Sequence, residues 1–293
     1  MLAQQLFNAL VLGSVYALFA LGFTLTFGVL RIINLMYGFY VTCGAFMALL
    51  AVTQAGLPLP AAALLGAVGA GLTAVVCDYV LLAPLRRSRA PELSSLIVTL
   101  GGVLLLNNLM TIAFGAEVRR FPATLLSQSA IALGPIDVSP IQLVIVAVVM
   151  VIVVALFLFI ERTRLGAGIR AVAENPEAAA LMGVNVGASL ATVSFAAGIL
   201  SGAAGILIGL NFNAVHAFMG ESLLLRGFVV IILGGLGDIR GALIAGLVLG
   251  FIEVMTAGYI SSGYKDAFSF AALVLTLWFR PVGLFGKSVA KRA

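Results

Sequence analysis

The chain has 293 residues, of which 62% are hydrophobic and only 9% charged, with a formal net charge of +5. Soluble domains carry about 25% charged residues, so this composition excludes a soluble globular protein. The positive balance matches the loop arginines and lysines that orient membrane helices and is no sign of nucleic-acid binding.

Apolar runs of about 20 residues recur along the chain and predict an all-α polytopic membrane protein. It reads as a single transmembrane domain over residues 1–293, with about eight to nine transmembrane or broken helices. The first run, residues 5–30, continues into a span-like helix and shows no processing site. Spans are then expected at 33–53, 61–83, 93–114, 141–160 and 188–210. Residues 223–233 are apolar but carry Arg226, and the glycine-rich 234–241 breaks the pattern, so this segment reads as a short or broken helix packed inside the protein. Two further spans are expected at 242–257 and 267–279. Between spans four and five lies a polar loop with Glu117, Arg119, Arg120, Pro122, Pro135, Asp137 and Pro140.

Twelve of the sixteen basic residues fall on one side of this arrangement: Arg31, Arg86, Arg87, Arg89, Arg162, Arg164, Arg170, Arg240, Arg280, Lys287, Lys291 and Arg292. Arg119, Arg120 and Lys265 lie opposite, and Arg226 lies within the membrane. The positive-inside rule then puts the N-terminus outside and the C-terminus in the cytoplasm.

Residues 161–187 form the one long polar passage, and on this orientation it faces the cytoplasm. Its second half predicts a short helix: Asn175 can cap, Pro176 suits the first helical position, Glu177 suits the positive end and Gly183 can stop it. Such a stretch is either a solvated loop or a docking helix for a soluble partner, and the cytoplasmic placement favours docking.

Small residues at four-residue spacing (Gly198 and Gly202, Ser201 and Gly205, Gly246 and Gly250) predict close helix crossing. No tandem repeat of fixed period is visible. Gly286-Lys287-Ser288 looks like the end of a phosphate loop, but its first glycine would fall on Pro281, so ATP is not bound by that route. His216 is the single histidine, which argues against a metal site and leaves a role in an outer vestibule. Cys43 and Cys77 lie in apolar runs and read as small core residues. No nucleophile, base and orienting group assemble, so no enzyme is indicated. Polar residues at membrane depth are costly unless paired or lining water, which marks Asn34, Asn107, Asn108, Arg226 and Glu253. Each can serve interhelical hydrogen bonding, and Arg226 and Glu253 can pair. Tyr37, Phe39, Asn211 and His216 join Asn34, Asn107 and Asn108 as candidates for a substrate path.

Three blocks resemble the permease subunits of branched-chain amino acid ABC importers, the LivH and LivM family, on the LivH side. They are LGSVYALFALGFTLTFGVLRIINLMYG at 12–38, the stretch from GAGIRAVAENPEAAALMGVNV through Gly205, and VIILGGLGDIRGALIAGLVLG followed by FRPVGLFG. The resemblance implies an ABC importer bundle in which Glu177-Ala178-Ala179 and Gly183 form the coupling helix, with Arg170, Glu174 and Asn175 beside it. It implies a second permease subunit (LivM-like or another copy), two cytoplasmic ATPases that bind ATP and Mg, and an external solute-binding protein. Solutes would be branched-chain or hydrophobic amino acids, or related small carboxylates or amides. The chain departs from the family where a His and an acidic residue usually flank the glycine: Tyr37 and Phe39 stand there. If those positions touch solute, a more apolar solute follows; if they only pack, nothing does. The alternative class is a secondary transporter or channel without an ATPase, for which Glu253 and Asp78 are the available coupling groups.

Overall fold

A computed structural model describes residues 1–88, 91–122, 131–133 and 136–286. Arg89, Pro135, Lys287, Ser288, Lys291 and Arg292, invoked above, lie outside the described residues. The described chain is helical apart from an antiparallel ribbon of β1 (Ile131–Leu133) and β2 (Ile136–Val138). The helices are α1 (Leu2–Leu30), α2 (Tyr37–Thr53), α3 (Leu59–Cys77), α4 (Ala83–Arg87), α5 (Glu92–Phe114), α6 (Pro140–Arg162), α7 (Arg164–Glu174), α8 (Pro176–Leu181), α9 (Val186–Phe212), α10 (Met219–Gly234), α11 (Ile239–Tyr259) and α12 (Lys265–Phe279). Among the described residues six helices are long and apolar enough to cross a membrane: α1, the continuous Leu59–Arg87, α5, α6, α9 and α11. Helices α2, α10 and α12 are shorter, at 17, 16 and 15 residues.

Several expected boundaries move. The second span begins at Tyr37, not Ile33, because Asn34 Oδ1 accepts the Met36 N–H at 2.9 Å and fixes a turn ahead of the helix. The third continues past Ala83 through a π turn, Asp78–Leu82, into α4. Arg226 does not interrupt α10; the break comes at Gly235 and Gly237, whose φ of 106° and 86° suit glycine, and Asp238 then caps α11 by accepting the Gly241 N–H at 2.7 Å. Arg240 and Gly241 therefore belong to α11. The first half of the polar stretch, for which no element is expected, is the helix α7, capped by Thr163.

Helices α1 and α9 form the centre: 83% and 78% of their apolar windows are buried, against 22% for α5 and for α6. Two antiparallel pairs are built on them through glycine. Gly246 and Gly250 of α11 meet Ala17 and Gly13 of α1, while Gly198 and Gly202 of α9 meet Gly71 and Ala70 of α3. These contacts place the expected small-residue stripes in helix crossings.

The two halves of the bundle are counterparts in inverted orientation. Arg31 and Asn213 are the non-glycine residues with positive φ among the described residues, and each is the left-handed cap of a central helix, α1 or α9. The chain then turns back into the bundle, and at the same distance beyond each cap a shorter helix begins, α2 or α10. Gly38 and Gly220, the second residues of those helices, touch: a Cβ on Gly38 would lie 3.0 Å from the Gly220 oxygen. The C-terminal end of α1 lies beside the N-terminal end of α9 around one cavity, and the reverse ends meet around another, so α1 and α9 run in opposite directions. An approximate two-fold axis thus passes near Gly38 and Gly220, perpendicular to the helices. The repeat is inverted, not tandem.

The crossing of α2 with α9 gives a direct test. A Cβ on Gly44 would sit 2.5 Å from Gly202 Cα and 2.8 Å from its oxygen, both backbone atoms that cannot step aside. Gly44→Leu is expected to cost about 1–3 kcal/mol by overpacking, seen as earlier thermal unfolding in detergent. Gly101→Ala, where nothing lies within 4 Å, should leave the transition in place.

Candidate functional site

Antiparallel packing of α10 on α11 brings two residues distant in sequence face to face. Arg226 Nε lies 2.8 Å from Glu253 Oε1, and its Nη2 lies 3.1 Å from Asp266 Oδ1 on α12. Glu253 is only 3% exposed. Its other oxygen accepts the Tyr16 hydroxyl at 2.6 Å, and Ser269 donates to Oε1 at 3.3 Å. The guanidinium also stacks over the Tyr16 ring, 5.9 Å from its centroid. Every oxygen of this buried carboxylate is therefore partnered, as a charge at membrane depth requires.

This network forms part of the wall of a cavity of about 640 Å³ at the N-terminal end of α1, here the Arg226 cavity. Gln5, Asn8, Asn211, His216, Ser222 and Lys265 add polar groups around it, and Val11, Leu12, Ile208 and Val254 add apolar ones. A mixed lining of this size suits a small amphipathic solute.

A second cavity, of about 560 Å³, lies at the opposite end, where α1 finishes and α9 starts. Asp78 and Arg86 lie on its wall as a two-pronged pair, with both N···O distances 2.7 Å. Eight residues along a straight α-helix are about 80° out of line. The wider π turn rotates the chain less per residue and brings Arg86 back over Asp78. Val172 of α7 and Pro176 of α8 also line this Asp78 cavity.

Helices α7 and α8 form the polar stretch at that end. Asn175 Oδ1 accepts the N–H groups of Glu177 and Ala178, both at 3.0 Å, and Gly183 ends the turn with φ 84°. Ala179 is buried and anchors α8, while Glu174, Glu177 and Ala178 face solvent. Arg170 donates to the Ile160 carbonyl and lies 4.0 Å from Glu161, tying α7 back to α6. Leu181 and Met182 stand 90% and 84% exposed at the tip.

The remaining sequence candidates separate. Asn211 and His216 line the Arg226 cavity together with Arg226 and Glu253. Tyr37 is in the core, its hydroxyl on Thr26 and its ring edge-on to Phe19, Phe23 and Tyr40; Phe39 is buried too. Asn34 serves the turn before α2. Asn107 is buried and donates to Glu221 at 3.1 Å, whereas Asn108 is exposed and donates to the Leu104 carbonyl. Sequence reasoning did not select Tyr16, Asp266, Ser269 or the Asp78–Arg86 pair for these roles. The one available signal was Asp78, an acid in an apolar run with arginines following.

A helical bundle with inverted halves, a polar cavity at each end and a capped helix pair beside one of them is a membrane transport subunit, a permease. The family model described as "Branched-chain amino acid transport system / permease component" matches residues 5–277, and the chain belongs to that family. It is a permease subunit of an ABC importer and a multi-pass protein of the inner membrane. It is 32% identical to the high-affinity branched-chain amino acid transport system permease protein LivH of Escherichia coli K12, over 97% of this chain and 95% of that protein. It is 31% identical to BraD of Pseudomonas aeruginosa, a permease protein of the same description, over 97% and 95%. The autoinducer 2 import system permease protein LsrD of Salmonella paratyphi B is more distant, at 26% over 84% of this chain and 76% of that protein. No solved structure matches the chain.

Proposed function

We propose that this chain carries branched-chain or other hydrophobic amino acids, or closely related small carboxylates or amides, across the inner membrane. The Arg226 cavity faces the outside and receives solute from an external binding protein. The Asp78 cavity and the α7–α8 pair face the cytoplasm. Two ATPase subunits, which bind ATP and Mg, dock on α8, and a second permease subunit, LivM-like or another copy, completes the bundle. ATP binding on one side and loaded receptor on the other bias a two-state arrangement of the helices.

The observation that carries this reading is the position of α7 and α8: Val172 of α7 and Pro176 of α8, the helix that bears the exposed tip, are wall residues of the Asp78 cavity. Moving the tip therefore moves the wall. An ion-driven transporter without an ATPase is less well supported, since Glu253 is fully engaged by Arg226, Tyr16 and Ser269.

The test reconstitutes the complex in liposomes and measures ATP-driven amino acid uptake and ATPase co-purification for Glu177→Ala and Gly183→Ala. Gly183 has φ 84°, so a side chain there strains the turn by about 1 kcal/mol. Both variants should insert normally, lose most uptake and retain less ATPase. Normal uptake by both, with no ATPase co-purifying with the unaltered chain, would refute the assignment.

A further inference from the structure

The inverted repeat relates six wall residues of one cavity to six of the other. With Arg31 matched to Asn213 and Gly38 to Gly220, Gln5 corresponds to Gly187, Asn8 to Leu190, Asn211 to Val29 and Phe212 to Leu30. Likewise Ala257 corresponds to Val75 and Lys265 to Ala83. The first of each pair lines the Arg226 cavity, and the second lines the Asp78 cavity. Two openings at opposite ends are thus built in part from the same positions of the same fold.

The match fails at the charged centre. Tyr16, Arg226 and Glu253 have as counterparts Gly198, Gly44 and Gly71. In one half three polar side chains meet across a cavity. In the other the same places are glycines at helix crossings: a Cβ on Gly198 would lie 2.8 Å from Gly71 Cα, and one on Gly44 2.5 Å from Gly202 Cα. The Asp78 cavity must therefore obtain its charge from another source, and the π turn supplies it as Asp78 and Arg86, 8% and 25% exposed. These two groups carry the charges complementary to a zwitterion, and in its absence they satisfy each other.

We infer that the Asp78 cavity is an exit site for a zwitterionic solute, Asp78 receiving its ammonium group and Arg86 its carboxylate in exchange for their mutual pair. This rests on the amino acid reading above and adds a site on the cytoplasmic side to it. The Arg226 cavity and the Asp78 cavity then present opposite charges of the same kind at both ends of the passage, so the solute's head group is never left unpaired in apolar surroundings.

The experiment uses the assembled importer in inside-out vesicles, with Cys43→Ser and Cys77→Ser removing the native thiols and Val75→Cys placing one on the cavity wall. Leucine added from the cytoplasmic side should protect that thiol from a membrane-impermeant maleimide, whereas its 2-oxo acid analogue should protect poorly. Adding Asp78→Asn should raise the half-protecting leucine concentration about tenfold or more, one charge-assisted hydrogen bond lost, and bring leucine and the oxo acid together. Asp78→Arg with Arg86→Asp, which keeps both charges, should restore part of the preference. If the importer takes up leucine yet leucine never protects the thiol, the exit site is refuted while the transport reading stands. If no amino acid is taken up by the unaltered importer, the transport reading itself falls. The protection of the Asp78-intact protein decides the matter even should Asp78→Asn fail to fold.

Discussion

Replacing Arg226 by alanine is expected to abolish uptake and sharply reduce the yield of folded permease. Glu253 would keep its Tyr16 and Ser269 hydrogen bonds but lose the cation it pairs with, at 3% exposure. Breaking one side of such a buried pair costs about 3–5 kcal/mol, a large part of the stability of an ordinary domain. Asp266 cannot compensate, because it is itself an anion held by the same guanidinium. Glu253→Gln should be milder, since the amide still accepts from Tyr16 and leaves Arg226 its Asp266 partner. The discriminating measurement is the double exchange Arg226→Glu with Glu253→Arg, read by yield, thermal unfolding and uptake together. Recovery of folding beyond either single variant would show that the two act as a pair, and independent, additive defects would show that they do not. Recovery of folding without uptake would assign the pair a polarity that the solute reads.

Replacing Leu181 and Met182 together by aspartate is expected to separate the permease from its ATPase without harming the fold. Both side chains stand in solvent at the tip of α8 and touch nothing that holds the bundle together. Burying two such side chains in a partner contributes about 1.5–3 kcal/mol each, so their loss should weaken association by one to several orders of magnitude. The measurement is ATPase retained on purified permease, alongside thermal unfolding of the permease alone. An unchanged transition with lost ATPase fits a docking tip. An unchanged complex would mean that the partner grips α7 or Glu177 instead.

How far the sequence revealed this architecture depended on the range of each signal. Helix α8 was legible because Asn175, Pro176, Glu177 and Gly183 act on their own neighbours, and that logic needs no tertiary context. The break after α10 was legible for the same reason, through Gly235 and Gly237. Helix α7 was not, since Gly166 and Gly168 argue against helix; Gly166 is there because a Cβ would collide with the Ile160 and Phe159 carbonyls. The pairing of Asp78 with Arg86 was hidden by its spacing, which only a π turn brings onto one face. The inverted repeat was hidden for a different reason. Its halves share a backbone path and the Gly38–Gly220 contact, while Tyr16, Arg226 and Glu253 have glycines as their counterparts. Of the polar candidates at membrane depth, Asn34 and Tyr37 went to turn and core, and Asn211 and His216 to the Arg226 cavity.

The poorly packed helix α6 has a consequence for how the chain is inserted. It is the most hydrophobic of the spans, yet only 22% of its most apolar stretch is buried. Ahead of it the chain runs along the bundle four times (α1, α2, α3 with α4, and α5), and after it four times more (α9 to α12). Parity therefore rests on α6 alone. Without that single pass the second half would run in the same sense as the first, and α2 and α10 would start in parallel instead of meeting head to head at Gly38 and Gly220. A helix that contributes little to the core thus decides whether two similar halves can face each other at all.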